Sequence, residues 1–152
     1  MKHLFGIEVR RKTRADSRIA RANVVFFSFS ETDRAFVLAL KTKAMNPKYH
    51  HLNFLVQDLM KRWSTENPTF IRKTVEKCIK DATRTIVFIG KDTHRSHWVS
   101  EEVNATRETG KSVYAIRVKD THGVKPAFLL KHNIHLYPWH EANLQYLATR
   151  ED

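Results

Sequence analysis

The strongest candidate for chemistry in this sequence is Glu102, which lies on the apolar side of a predicted helix. The residues that mark this side are Trp98, Val99, Val103 and Thr106. Because Glu102 follows Trp98 by four residues, its carboxylate projects from the same face of the helix. A carboxylate beside an apolar face loses hydration, a cost that proteins accept mainly at paired or functional positions. Two interpretations stay open: a functional carboxylate, or a glutamate at the rim of the core neutralised by a nearby lysine or arginine.

Other chemistry that the residue types suggest has weaker support. The nine histidines include two close pairs, His94 with His97 and His132 with His135, but no cysteine or acid completes a tetrahedral metal set beside them. We therefore expect no metal site. Cys78, the only cysteine, falls on the apolar stripe of a predicted helix and is expected to be a buried structural thiol. The four glycines are too far apart to form a glycine-rich phosphate-binding fingerprint.

Alternating strands and helices are predicted to position these side chains. Short apolar runs rich in β-branched and aromatic residues predict strands at residues 23–30, 51–57, 85–90, 112–118 and 134–137. Helices are predicted at residues 32–44, 68–82 and 98–109, and from residue 140 onward. Ser30 and Asp33 have the spacing of a capping box at the start of the first helix. This alternation predicts an α/β fold, with a five-stranded parallel sheet and helices on both faces.

The predicted topology also indicates where a site would lie. In open α/β sheets, ligands bind outside the carboxyl ends of the strands. The loops to consider therefore follow residues 29, 57, 90 and 118. Glu102 stands on the helix that follows the third of these loops, and Thr93 and Ser96 lie within the loop. We expect these two hydroxyl side chains to turn the loop and cap the helix.

Positive charge is concentrated at the start of the chain. The 152 residues carry 27 Lys and Arg against 16 Asp and Glu, a formal charge of +11, and residues 1–21 hold seven of these cations with only two acids. We place a domain boundary near residue 22, with a basic N-terminal arm at 1–21 and one domain at 22–150. Since basic arms commonly bind phosphate backbones, nucleic-acid binding is one alternative function. The sequence nevertheless has no helix-turn-helix or zinc-knuckle pattern.

The composition also predicts the compartment. No apolar run approaches the roughly 20 residues of a membrane helix, and residues 1–21 lack the continuous apolar stretch of a secretory signal. A single cysteine excludes an intramolecular disulfide. We therefore expect a cytoplasmic protein that does not contact the membrane.

Three motifs, in order along the chain, resemble those of the TIR domain family. They are Phe26-Phe27-Ser28-Phe29 followed by Asp33, the pattern I-G-x-x-T-x-x-S-x-W-V-x-x-E from Ile89 to Glu102, and Gly110-Lys111 before a strand. More narrowly, the chain is similar to the bacterial TIR-like family that includes the TIR subunit of Thoeris anti-phage systems. The similarity covers residues 22–147 and implies a flavodoxin-like TIR fold with a central five-stranded parallel sheet.

The resemblance also implies an activity. In enzymatically active TIR domains, the glutamate four residues after the tryptophan of this helix catalyses NAD⁺ cleavage, and Glu102 occupies that position. Breaking the bond between nicotinamide and ribose passes through an oxocarbenium-like centre, which a nearby carboxylate can stabilise. NAD⁺ is then the substrate and no cofactor is implied. The products would be nicotinamide and ADP-ribose or a derivative of it, such as a cyclic isomer, acting as a signal in anti-phage defence.

Substrate contacts are implied for six further residues. They are Ser28, Phe29, Asp33, Asp58, Ser96 and Trp98. Phe29 could stack on nicotinamide or adenine, or simply pack in the core. Asp33 could contact ribose, although a helix cap is the favoured interpretation. Asp58 is either a polar wall of the pocket or a solvated loop residue, and Trp98 is expected to pack the helix and shape the pocket floor.

The resemblance leaves partners and mechanism partly open. It implies self-association or a phage-derived trigger, and a downstream effector reached through a nucleotide signal. The stretch from Ser30 to Arg34, however, lacks the longer glycine- or proline-bearing loop through which many TIR domains assemble. Some family members are scaffolds without activity, so a non-catalytic signalling or interaction module with a structural Glu102 is the second alternative.

Overall fold

The structure, a computed structural model, describes residues 23–57 and 67–151 of the chain. Its strands are β1 (Val24–Ser28), β2 (Leu55–Gln57), β3 (Arg84–Ile89), β4 (Ser112–Arg117) and β5 (Leu136–Tyr137). Its helices are α1 (Arg34–Ala44), α2 (Pro68–Asp81), α3 (His97–Glu108), α4 (Ala127–Lys131) and α5 (Glu141–Thr149). None of the helices within these two ranges is long and apolar enough to cross a bilayer.

The five strands form one sheet in the order β2-β1-β3-β4-β5, and every neighbouring pair is parallel. This confirms the predicted five-stranded parallel sheet. β1 and β3 each pair with a strand on both sides, whereas β5 pairs only with β4. The chain moves to one side of β1 to form β2 and then to the other side to form β3. In this topology the ligand crevice is expected at the carboxyl ends of β1 and β3.

Alternate side chains of β1 are buried on opposite faces of the sheet. Val25 and Phe27 pack in a cluster that includes residues of α1 and α5, whereas Phe26 packs against α2. Ser28 alternates with Phe27, so its side chain points to the same face as Phe26, and there it meets α3. Helices therefore cover both faces, as predicted, and α3 lies over the end of β1.

The beginning of α1 differs from the prediction. Glu31–Asp33 forms a single 3-10 turn, and α1 starts at Arg34 rather than at residue 32. The predicted capping box is wrong, because no backbone N–H binds the Ser30 side chain. Instead the Ser30 hydroxyl donates a hydrogen bond to Oδ2 of Asp33 at 3.2 Å.

β2 and β5 begin at least two residues later than predicted, and one helix was not predicted. β2 begins at Leu55, and the apolar residues Leu52 and Phe54 before it are buried without belonging to the strand. β5 begins at Leu136 rather than at residue 134. The five-residue α4 follows Pro126 in a segment for which no secondary structure was predicted. Before β2, the apolar pattern indicated burial correctly but not the secondary structure.

The second predicted helix starts and packs largely as expected. The Asn67 side chain accepts a hydrogen bond from the amide of Phe70 at 3.1 Å, and a proline follows at the first helical position. Ile71, Val75 and Ile79 are buried. Cys78 packs beside this stripe but is half-buried, so the expectation of a buried thiol was wrong.

The C-terminus of α2 is capped by a lysine from a distant part of the chain. The ammonium of Lys111 donates to the carbonyl oxygens of Ile79, Lys80 and Ala82 at 2.7–2.8 Å. A cation at this position donates to carbonyls of the last helical turn and complements the negative end of the helix dipole. Lys111 thereby joins the start of β4 to the end of α2.

We expect the Lys111→Met variant to lower the free energy of unfolding by about 1–2 kcal/mol, because methionine keeps the aliphatic chain but leaves these carbonyls without their charged donor. Urea unfolding followed by circular dichroism would measure the change. Lys73→Met, at an exposed position on α2, is the matched control and should have little effect. Equal stability of the two variants would contradict the capping role.

A second charged contact predicts a dependence of stability on pH. Glu141 at the start of α5 accepts a hydrogen bond from Lys43 at 2.6 Å and contacts His51 Nε2 at 2.5 Å. The bond from Lys43, aided by His51 and opposed by burial, lowers the pKa of Glu141 below its ordinary value of 4.5. This contribution to stability is therefore present above that ordinary value and is lost as the pH falls through the lowered one.

We expect the free energy of unfolding to change less with acidification in Glu141→Gln than in the wild type. Urea unfolding at about pH 6 and about pH 3 would measure the difference. Glu108→Gln, at an exposed position on α3, should keep the wild-type dependence. An unchanged pH dependence in Glu141→Gln would show that this carboxylate does not contribute.

Candidate functional site

The loop between β3 and α3 is held by two hydroxyl side chains. Thr93 Oγ1 accepts a hydrogen bond from the amide of Gly90 at 2.7 Å and donates to the carbonyl of Phe88 at 3.2 Å. Ser96 Oγ accepts from the amide of Val99 at 3.2 Å, which confirms its expected role as the cap of α3. These bonds fix where α3 begins relative to the end of β3.

Glu102 lies in the interior, between α3 and the sheet. Its side chain is 0% exposed, and so is that of Ser28, which ends β1. The Ser28 hydroxyl donates to Oε1 of Glu102 at 2.6 Å. The interpretation of Glu102 as a glutamate at the rim of the core is therefore wrong. A carboxylate in such a place is costly unless hydrogen-bonded, and Ser28 supplies one of these bonds.

Two threonines fix the helix turn that carries Glu102. Thr106 Oγ1 donates to the carbonyl of Glu102 at 2.8 Å and lies 2.7 Å from Oγ1 of Thr85 on β3. Since the Thr106 hydroxyl proton is used on that carbonyl, the Thr85 hydroxyl is the donor between the two. All three residues are buried. α3 is thus tied by polar contacts to β1 through Ser28 and to β3 through Thr85.

The two aromatic residues predicted to contact substrate have different surroundings. Phe29 is 1% exposed and packs in the cluster on the α1 and α5 face of the sheet. Trp98 is half-buried against the apolar residues of α2 and lines a cavity of about 230 Å³ between α2 and α3. Glu101, on the outer side of α3, pairs with Arg72 and His97. In this conformation Phe29 is a core residue, whereas Trp98 is accessible from the α2 side.

Asp33 is a buried acid at the carboxyl end of the sheet. Its exposed fraction is only 7%, and it accepts a hydrogen bond from the Ser30 hydroxyl. Burial raises the pKa of the Asp33 carboxyl above its ordinary value of 3.8, an effect that the Ser30 bond opposes. The nearby Asp92 raises this pKa further, and Lys91 lowers it. Folding therefore favours the protonated form of Asp33.

The carboxylate of Asp33 lies directly against Gly90, the first residue after β3. A Cβ at Gly90 would come within 2.2 Å of Oδ2 of Asp33, so a larger residue would have to displace this carboxylate. Gly123, in the loop after β4, is packed as tightly, because a Cβ there would lie 2.7 Å from the Gly90 carbonyl oxygen and 2.8 Å from Cα of Lys91. The loops after β1, β3 and β4 are thus in contact through two glycines.

We expect Gly90→Ala to lower the free energy of unfolding by about 1–3 kcal/mol, because the added methyl group overlaps the buried Asp33 carboxylate. In the double variant Asp33→Ala/Gly90→Ala the overlap is gone, so the two changes should be strongly non-additive in denaturant unfolding. Gly123→Ala is the contrasting control, since it meets backbone atoms and Asp33→Ala should not relieve it. Additive effects of Asp33→Ala and Gly90→Ala would contradict the contact.

The structure brings together only some of the predicted site residues. Ser28 and Glu102 are in direct contact, while Ser96 and Trp98 lie at the start of the same helix. Asp58 lies outside the described residues. Across the part of the chain that the structure describes, no three His, Cys, Asp or Glu side chains converge as a group able to hold a metal ion. Sequence reasoning placed Thr106 on the buried stripe but missed its bond to Thr85.

Comparison with known proteins identifies relatives of this fold and sequence. The model of the family described as "Thoeris protein ThsB, TIR-like domain" matches residues 26–122, more than half of the chain. No curated protein matches the sequence.

Two solved structures show a similar fold. The TIR domain of a Toll-related receptor from Hydra magnipapillata is 15% identical with a TM-score of 0.55, and the match covers 83% of this chain and 91% of that one. A CMP N-glycosidase from Clostridium botulinum is 16% identical with a TM-score of 0.53, covering 82% of this chain and 97% of that one. These similarities agree with the flavodoxin-like α/β fold.

Proposed function

Because the chain belongs to the TIR-like domain family of the Thoeris protein ThsB, we propose that it cleaves NAD⁺ at the bond between nicotinamide and ribose. The observation that carries this proposal is the buried carboxylate of Glu102, bonded to Ser28 at the carboxyl end of β1. This is the edge of the sheet where ligands of such folds bind. Glu102 also stands four residues after Trp98, as the catalytic glutamate does in the TIR enzymes that the sequence resembles.

The chemistry requires a negative group close to the ribose. As the bond to nicotinamide breaks, positive charge develops on the anomeric carbon and ring oxygen of the ribose, and nicotinamide leaves as a neutral base. A fixed carboxylate stabilises this charge more strongly in a desolvated site than in water. Ser28 holds Oε1 of Glu102, which reduces the freedom of the carboxylate to turn away. The ribosyl carbon is then attacked by water, or by another group of the same molecule if the product is cyclic.

The burial of Glu102 indicates that this conformation is closed to substrate. A side chain that is 0% exposed cannot touch a ligand without some rearrangement around it. This property supports an enzyme that stays silent until it is activated. Under the proposal, self-association or a phage-derived trigger opens a path to Glu102, and the ADP-ribose-derived product signals to an effector in anti-phage defence.

The fold comparison adds support at the level of reaction class. One protein of similar fold is a CMP N-glycosidase, and NAD⁺ cleavage likewise breaks an N-glycosidic bond between a base and ribose. The choice of NAD⁺ over a pyrimidine nucleotide rests on the family resemblance around Glu102. The two substrates can be separated in one assay.

The test is to incubate the purified full chain with NAD⁺ or CMP, alone and with lysate from phage-infected cells, and to resolve the products by chromatography and mass spectrometry. Release of nicotinamide is the expected result, and the mass and retention of the second product distinguish hydrolysis from cyclisation. Cleavage of CMP but not of NAD⁺ would show that the substrate is CMP and would refute the choice of NAD⁺. If neither NAD⁺ nor CMP is cleaved under any condition, the non-catalytic signalling module is favoured. Salt-dependent binding of DNA would then favour nucleic-acid binding through residues 1–21.

A further inference from the structure

A second cavity lies at the carboxyl ends of β4 and β5. Its volume is about 520 Å³, within the range of small-molecule sites. Its walls include the basic or titratable side chains Arg117, Lys119, His122 and His140, and the aromatic ring of Trp139. We propose that this cavity is a nucleotide site that binds the phosphates of a nucleoside diphosphate, and that it is separate from the site around Glu102.

The charges of the walls favour a phosphate group. Arg117 and Lys119 are cationic side chains, Asp120 is the one acid on the walls, and His122 and His140 can donate hydrogen bonds. Arg117 is half-buried, and one of its N–H groups donates to the carbonyl of Gly123 at 3.0 Å. A guanidinium has five N–H donors in a planar fork, so this bond fixes its orientation and leaves donors for phosphate oxygens.

Trp139 provides a surface for a nucleobase. The ring is half-buried, and it meets the Phe36 ring edge-on with 5.0 Å between the centroids. This contact holds the indole from one side, while the indole also lines the cavity. Stacking of a base on such a ring is typically worth about 1–3 kcal/mol and tolerates different bases. The combination of cations and an indole fits a nucleotide better than inorganic phosphate alone.

Contacts within the protein hold the cavity walls in place. Gly123 packs against the backbone of Gly90 and Lys91 so closely that a side chain has no room. The Thr121 hydroxyl donates to the carbonyl of Val118 at 2.7 Å, which fixes the turn after β4. Preformed walls reduce the entropy lost on binding.

The cavity and Glu102 share no residue, because the cavity lies at the ends of β4 and β5 whereas Glu102 contacts the end of β1. Trp139 packs against the core cluster of α1 and α5, whereas Glu102 lies under α3 and meets Ser28 on the other face. The two sites are therefore distinct, and this inference does not rest on the proposed NAD⁺ cleavage. A bound nucleotide would touch the loop after β4, which contacts the loop after β3 through Gly123.

The experiment is a calorimetric titration of ADP into the full-length Glu102→Gln protein in low salt, with adenosine and a glutamate-rich peptide as comparison ligands. We expect ADP to bind in a 1:1 ratio and to lose affinity in salt, whereas adenosine binds much more weakly. Lys119→Gln, at an exposed position where folding is not at risk, should weaken ADP binding about ten-fold. Lys125→Gln, an exposed lysine outside this cavity, should leave it unchanged.

Several outcomes would overturn the inference. They are no binding of ADP, binding that Lys119→Gln does not weaken, and equal affinity for adenosine or for the peptide. If NAD⁺ competes with ADP for the Glu102→Gln protein, and Lys119→Gln does not change ADP affinity, then ADP binds at the site of Glu102 instead. Because ADP binding and NAD⁺ cleavage are measured separately, a wild-type protein that binds ADP but leaves NAD⁺ intact with and without lysate from infected cells would refute only the proposed function.

Discussion

Replacing Glu102 with glutamine is expected to reduce NAD⁺ cleavage by at least about 10²–10³-fold while the protein stays folded. Glutamine has nearly the same shape and can still accept the hydrogen bond from Ser28. What it lacks is the negative charge, which under our proposal stabilises the oxocarbenium-like ribose. Because the change removes a buried charge, we expect the free energy of unfolding to stay equal or to rise.

The control for this variant is the neighbouring glutamate. Glu101 lies on the outer side of α3, where it pairs with Arg72 and His97. Glu101→Gln removes the same charge one residue away, and it should cleave NAD⁺ at close to the wild-type rate. Nicotinamide release by both variants should be compared under the condition that activates the wild type, with circular dichroism to verify folding. A Glu102→Gln protein that retains activity would refute the catalytic role.

Replacing Ser28 with alanine is expected to have the second-largest effect. Alanine leaves Oε1 of Glu102 without the donor that now lies 2.6 Å away in the buried interior. The loss of a hydrogen bond to a buried charged group should lower the free energy of unfolding by about 1–3 kcal/mol. We also expect kcat for NAD⁺ cleavage to fall about 10-fold or more, with a smaller change in KM, because the carboxylate is no longer held in one orientation.

A double-mutant cycle separates these contributions. In Ser28→Ala/Glu102→Gln, the group that loses its donor is a neutral amide and not a carboxylate. Ser28→Ala should therefore lower the free energy of unfolding less in the Glu102→Gln protein than in the wild type. The coupling energy from urea unfolding therefore reports the contact itself. A coupling near zero, together with a wild-type rate for Ser28→Ala, would show that the bond neither stabilises nor positions Glu102.

The sequence was sufficient to predict the five strands and four of the five helices within the described residues, and the face of α3 that carries Glu102. These follow from local periodicity, since alternating or 3.6-residue patterns directly reflect which side of an element is buried. The partner of Glu102 was not predictable in the same way. Ser28 lies 74 residues earlier in the chain, and their contact depends on how β1 and α3 pack in three dimensions.

Errors arose where one local pattern was compatible with two structures. Ser30 and Asp33 have the spacing of a capping box, but the serine hydroxyl donates to the aspartate side chain instead of accepting a bond from a backbone N–H. Leu52 and Phe54 were assigned to a strand because they are apolar, yet they are buried in the loop before β2. The bond between Thr85 and Thr106 gives no signal in the sequence, because threonines are common in both strands and helices.

The unequal pairing of the strands has a consequence for backbone hydrogen exchange. Because β1 and β3 have a neighbour on both sides, their amide protons should exchange with solvent only in rare openings that approach global unfolding. β5 has two residues and one neighbour, so it can fray together with the adjoining loops at much lower cost. Glu102 is tied to the slowly exchanging strands. The β5 edge can therefore open and close many times before the carboxylate is disturbed.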